Sequence, residues 1–205
     1  MELWLIRHAR PVRIDGGDGP ADPGLTDEGQ VQARQLAEWW APFGADEVVS
    51  SSMRRAVETA QPLAAALGVP VEPHDSIREF DSHLSIYVPL EELRADPVAW
   101  ATMLEAWMTP EAEEERQTLR NDVVAAIDGI AAAAASDVER LAVVCHGGVI
   151  NAYLSAALHL PGTMFFEPAY TSVSRMMWRE GGHRQVVSLN EAPHLGALPT
   201  PSISL

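Results

Sequence analysis

Short, continuously apolar runs alternate along this chain with longer stretches whose apolar residues return every three or four positions. Leu3-Trp4-Leu5-Ile6 and Leu141-Ala142-Val143-Val144-Cys145 are runs of the first kind and read as strands buried on both faces. Residues 47–50 give a third short strand. Thr26 reads as a helix N-cap, followed by acidic Asp27 and Glu28 in the first turn and by Leu36, Trp39, Trp40 and Phe43 on one face. Met53, Ala56, Val57, Ala60, Leu63 and Leu67 mark the buried side of a second helix, ended by Gly68 and Pro70. Residues 73–89 read as irregular, and residues 90–107 as helical with an interruption near Pro97. Thr109-Pro110-Glu111 opens a long helix to about Ala135, with Leu119, Val123, Ile127 and Ile130 as its stripe. A helix over 149–158 follows the strand that ends at Cys145. Residues 171–179 and 184–189 then form a hairpin about Gly181-Gly182, and the tail after Asn190 reads as irregular. Strands alternating with helices predict an α/β fold: one three-layer α/β/α domain over residues 1–205, with a mostly parallel central sheet.

Composition narrows the function. The 205 residues carry 29 acidic and 14 basic side chains, a net charge of −15, and all the basic residues are arginine. Such a surface argues against nucleic acid or an anionic membrane as a partner. Any anionic substrate needs a local basic pocket, and arginines gather at Arg7, Arg10 and Arg13 and again at Arg54 and Arg55. A single cysteine, Cys145, excludes an internal disulfide and a cysteine-based zinc site, and the histidines show no metal-ligand spacing. No apolar stretch reaches membrane-spanning length, and the amino terminus enters a strand without a signal-peptide pattern, so a cytoplasmic protein is expected.

In an open parallel sheet, ligands bind beyond the carboxyl ends of the strands. His8 and His146 each follow a predicted strand, so two histidines about 140 residues apart can meet at one rim. An imidazole beside an arginine, facing a second imidazole, suits attack on phosphorus. Guanidinium forks match phosphate oxygens, which makes Arg7 and Arg55 the candidate charge neutralisers. His8 is the candidate nucleophile. His146 can donate to a phosphate oxygen, and Gly147-Gly148 opens a helix where anions are favoured. Glu79 is the candidate proton donor and acceptor, with Asp81 and Asp75 as alternatives.

Taken in order, these residues resemble the histidine phosphatase superfamily, also called phosphoglycerate mutase-like. Its opening motif stands here as Leu5-Ile6-Arg7-His8-Ala9-Arg10-Pro11. A second stands as Leu25, Thr26, Gly29, Gln32 and Ala33, and a third as Ser50, Ser51, Arg55, Ala56, Thr59 and Ala60. The acid motif is Ile77-Arg78-Glu79, and the second histidine motif is Val144-Cys145-His146-Gly147-Gly148. The resemblance implies a phosphohistidine on His8. It also implies a phosphate pocket of Arg7, Arg55 and His146, to which Gly147, Arg10 and Thr26 are added as candidates. Three positions depart from the pattern. Ala9 replaces a glycine, Ile14 stands where some members place an asparagine on phosphate, and Phe80-Asp81-Ser82-His83 replaces the Gly-x-Trp-Glu-Gly run after the acid. The leading expectation is a phosphatase of small phosphomonoesters that needs no metal or cofactor. A phosphoglycerate mutase-type transfer is the alternative, and a non-catalytic phosphate-binding protein the second alternative. The expected partner is a small phosphorylated metabolite, with assembly into a homo-oligomer left open.

Overall fold

The computed structural model describes residues 1–107, 109–134 and 136–196. Its centre is a six-stranded sheet of β1 (Glu2–Arg7), β2 (Glu47–Ser51), β3 (Val71–His74), β4 (Arg140–Cys145), β5 (Val173–Arg179) and β6 (His183–Glu191). The order across the sheet is β3-β2-β4-β1-β5-β6. β1 to β4 run parallel, and β5 and β6 form an antiparallel hairpin paired to β1.

The continuous apolar runs are buried on both faces, as their patterns require. Leu3 and Leu5 of β1 pack on one side with Ile127 and Tyr153, which come from α5 (Pro110–Ala133) and α6 (Gly147–Ala157). Trp4 and Ile6 pack on the other with Leu36 and Leu63, from α1 (Asp27–Trp40) and α2 (Arg54–Leu67). This is the expected three-layer α/β/α domain. Two further helices, α3 (Leu90–Ala95) and α4 (Pro97–Trp107), are split where Asp96 turns the chain and its carboxylate accepts from the Val98 and Ala99 amides. Among the described residues no helix is long and apolar enough to cross a membrane.

Four local readings are corrected. β3 lies inside a stretch read as loop and irregular chain. It is an edge strand paired only to β2, where Pro73 costs no ladder bond on its open side. α1 buries Ala33, Leu36, Ala37 and Trp40, and leaves Trp39 46% exposed. Phe43 lies beyond α1 in a 3-10 turn and is exposed, so the buried face keeps Leu36 and Trp40 of the expected stripe and takes Ala33 and Ala37 in place of Trp39 and Phe43. α6 begins at Gly147, two residues earlier than the periodicity indicated. Ala135, the expected end of α5, and the tail beyond Gly196 lie outside the described residues.

Candidate active site

The site is set by strand adjacency. β1 and β4 are neighbours with Arg7 opposite Cys145, and the His8 amide donates to the Cys145 carbonyl at 2.9 Å. His8 and His146 therefore leave the sheet side by side, with ring centroids 5.2 Å apart.

Backbone and side-chain partners fix the His8 ring. Its Nδ1 lies 2.8 Å from the Ala9 carbonyl, which can only accept, so Nδ1 carries the proton and Nε2 presents a lone pair. The Arg55 Nε donates to that Nε2 at 3.3 Å. Burial, then Arg55 and Arg7, hold the His8 pKa well below its ordinary value, so the imidazole is neutral. Arg55 itself is buried in the first turn of α2, its guanidinium 4.8 Å from the centre of the Tyr87 ring. Arg7 donates to the Pro168 carbonyl, lies 4.0 Å from Glu167, and stacks 4.2 Å from the centre of the Tyr170 ring.

His146 is fully buried behind His8, its Nε2 2.8 Å from the Ser51 hydroxyl. That hydroxyl accepts from the Met53 amide, and in the tautomer where it donates to Nε2 the His146 proton sits on Nδ1. Burial, Arg55 and His8 push the His146 pKa down as well. Among the described residues, Arg7 Nε, Arg55 Nη1 and His146 Nδ1 are buried nitrogens without a hydrogen-bond partner. Beside the His8 Nε2 lone pair, the two arginine N–H groups, joined by His146 in its Nδ1–H tautomer, could supply the donors an oxyanion needs.

Glu79 completes the constellation. Its carboxylate accepts from the Gly148 amide at 3.0 Å and the Phe80 amide at 3.2 Å. Burial, reinforced by the nearby Asp81 carboxylate, raises its pKa to about 7. A carboxyl poised there can give and take a proton at neutral pH. Of the two alternatives, Asp81 lines the same cleft, whereas Asp75 is exposed and accepts from the Ser52 hydroxyl. Gly148 allows the acid to approach: a Cβ there would stand 2.3 Å from Glu79 Oε1. Gly147 lines the cleft, and a Cβ on it would touch nothing closer than 3.9 Å.

Two expected phosphate contacts are placed elsewhere. Thr26 caps α1, accepting from the Gly29 amide and donating to the Arg10 carbonyl. Arg10 turns its guanidinium to Glu28 and Glu91. The motif around them is a cradle for the loop that follows His8. Gln32 accepts from the Arg10 amide, Thr59 accepts from the Ala9 amide, and a Cβ at Gly29 would meet the Arg10 carbonyl oxygen at 2.2 Å. Ala9 is not among the residues with positive φ, so no glycine is needed there. Ile14, at the departed asparagine position, pairs its backbone in both directions with Tyr87. Arg54 and Arg13 are exposed and paired with Glu58 and with Asp15 and Glu92. Cys145 is packed in the core.

Asn151, not singled out from the sequence, holds one wall. Its amide donates to the Gly147 and Phe166 carbonyls and its oxygen accepts from the Phe165 and Phe166 amides. This anchors the loop that presents Glu167 and Pro168 to Arg7. A lone asparagine within the apolar run of α6 was the available signal. Arg7, His8, Arg55, Glu79, Gly147 and Gly148 line the inner end of a cleft of about 530 Å³. Among the described residues no group of three or more His, Cys, Asp or Glu is arranged to hold a metal.

The family model described as histidine phosphatase superfamily (branch 1) matches residues 3–192. The chain is 27% identical over 206 residues to a probable phosphatase of Schizosaccharomyces pombe, covering 95% of each chain. It is 27% identical over 173 residues to a probable phosphoglycerate mutase of Erwinia tasmaniensis, covering 78% of this chain and 76% of that one. Its fold matches a mycobacterial glucosyl-3-phosphoglycerate phosphatase solved with VO3 at a TM-score of 0.71 and 23% identity, covering 93% of this chain and 99% of that chain.

Proposed function

The chain belongs to the histidine phosphatase superfamily, branch 1, and on that premise we propose that it hydrolyses small phosphomonoesters through a phosphohistidine on His8. The observation that carries this reading is the His8 tautomer. Nδ1–H is spent on the Ala9 carbonyl, and Nε2 is left neutral and facing Arg55.

In the first step the Nε2 lone pair attacks phosphorus and the bond to the ester oxygen breaks. Arg7, Arg55 and His146 neutralise the equatorial oxygens, and a phosphate oxygen takes over the Arg55 donor that now rests on His8. Glu79, protonated, gives its proton to the departing alkoxide. In the second step Glu79 takes a proton from water, hydroxide attacks phosphorus, and the P–N bond pair returns to Nε2. The arginines supply the positive charge that a metal would otherwise bring, so activity is expected to survive dialysis against a chelator.

A mutase would need a grip on the substrate's carboxylate. Arg94 is the cation in the outer cleft, and it is engaged by Glu167 and stacked on Trp100. This favours water as the acceptor. The intact nucleophile, general acid and donor set likewise favour catalysis over mere phosphate binding. The test is a panel of phosphomonoesters with 3-phosphoglycerate included. Inorganic phosphate released with an acid-labile phosphoenzyme supports the proposal. Phosphoglycerate isomerised without phosphate release would replace it with the mutase, and no turnover of any ester would leave the binding protein.

A further inference from the structure

Resting on the phosphatase reading, we propose that the preferred substrates carry a neutral, apolar alcohol, an alkyl or aryl group, rather than a glycerate, an amino acid or a sugar. With phosphorus fixed at His8, the ester group must occupy the remainder of the cleft, whose lining includes Phe80, Leu84, Leu93, Trp100, Met103 and Phe166. These come from the segment after Glu79, from α3 and α4, and from the loop anchored by Asn151. Phe80 and Leu84 are 43% and 47% exposed, large apolar surfaces turned to the mouth of a concave site. The whole cleft, about 530 Å³, is far larger than a phosphate and falls among sites that take drug-sized ligands.

Charge points the same way. Asp81 lines the cleft and would repel a second anionic group, Glu79 meets the substrate protonated, and Glu167 is paired with Arg94. Arg94, which could have received one, has its charge matched by Glu167. A sugar hydroxyl set against the apolar walls, out of reach of Asp81, Tyr87 and Glu167, would be left without a partner, which costs affinity for each one buried.

The test is a series of n-alkyl phosphates from ethyl to hexyl, in which leaving-group chemistry is nearly constant, so that kcat/KM reports contact with the walls. A fully buried methylene is worth about 0.8 kcal/mol, or roughly fourfold. The expected rise is ~2–4-fold per methylene, with hexyl phosphate above 3-phosphoglycerate and phosphoserine by more than tenfold. Trp100→Gln and Met103→Gln should each lower the hexyl-to-ethyl ratio at least threefold. p-Nitrophenyl phosphate runs alongside. If it is hydrolysed but the alkyl series is flat within twofold, or 3-phosphoglycerate outruns hexyl phosphate, this inference fails and the phosphatase reading stands. If no phosphomonoester is turned over, the phosphatase reading fails and takes the inference with it.

Discussion

The Gly148 amide donates to one oxygen of Glu79 at 3.0 Å, while a Cβ on Gly148 would stand 2.3 Å from the other. One glycine thus both holds the acid by its backbone and admits it by lacking a side chain. Gly148→Ala should displace the carboxyl. Turnover of alkyl phosphates is expected to fall ~10–100-fold, while phosphoenzyme formation from p-nitrophenyl phosphate stays within a few-fold. The added Cβ would also meet the Phe80 ring at 3.0 Å, so the melting temperature is measured beside activity, and a loss of fold is told apart from a loss of the acid. Equal losses on both substrates would show that the glycine serves something other than the acid.

His8→Ala should abolish turnover and leave the fold intact. Removing a covalent nucleophile deletes the route itself rather than one supporting contact. Among the described residues the His8 ring makes two hydrogen bonds, to the Ala9 carbonyl and to Arg55, and packs on His146 and Tyr170 at the cleft wall, outside the apolar core clusters. Circular dichroism should be unchanged and no phosphoenzyme should form. Residual activity within tenfold of the parent would overturn the phosphohistidine.

The two histidines were legible because each follows a short apolar run, and parallel strands end at a common rim. Arg55 was legible through its motif. Gly29 and Thr59 were visible as motif positions, but not as the cradle of the loop that follows His8, since that role exists only once α1 and α2 pack on Arg10 and Ala9. β3 escaped because four residues with a proline carry no periodicity, and its strand state comes from β2 alone. Tyr87, Tyr170 and Glu167 reach the arginines from distant irregular segments, and no local pattern announces such contacts.

Glu79 should also make stability depend on pH. Its pKa is raised from 4.5 to about 7 in the folded chain. Between those values the folded state keeps a proton that the unfolded chain releases. The associated stability is therefore fully present below pH 4.5 and is lost as pH rises through 7. Glu79→Gln removes this penalty while still offering an oxygen to the Gly148 amide. It should stabilise the protein at pH 8 by an amount on the order of 3 kcal/mol and change it little at pH 4.5. Comparing the two proteins at each pH cancels the opposing contributions of His8 and His146, whose lowered pKa values weaken the fold in acid. A variant less stable than the parent at pH 8 would mean that the carboxylate is held ionised.

The chemistry of the leaving group gives the sharpest test of Glu79. A proton donor matters most when the departing oxygen is a poor leaving group, such as an alkoxide, and least for a phenolate that departs unaided. General acid catalysis is worth roughly 10²–10⁴-fold. Glu79→Gln should therefore slow phosphoryl transfer from hexyl phosphate by about that factor and from p-nitrophenyl phosphate only a few-fold. Single-turnover formation of the phosphoenzyme is the proper measurement, because the carboxylate also activates water in the second step. In the parent protein that first step should decline above pH 7 for the alkyl ester, as the carboxyl with a pKa of about 7 loses its proton. The aryl ester should lack this decline. If both esters slow equally in the variant, Glu79 is not the acid. Asp81 would then be tested the same way, since it lines the same cleft and burial raises its pKa as well.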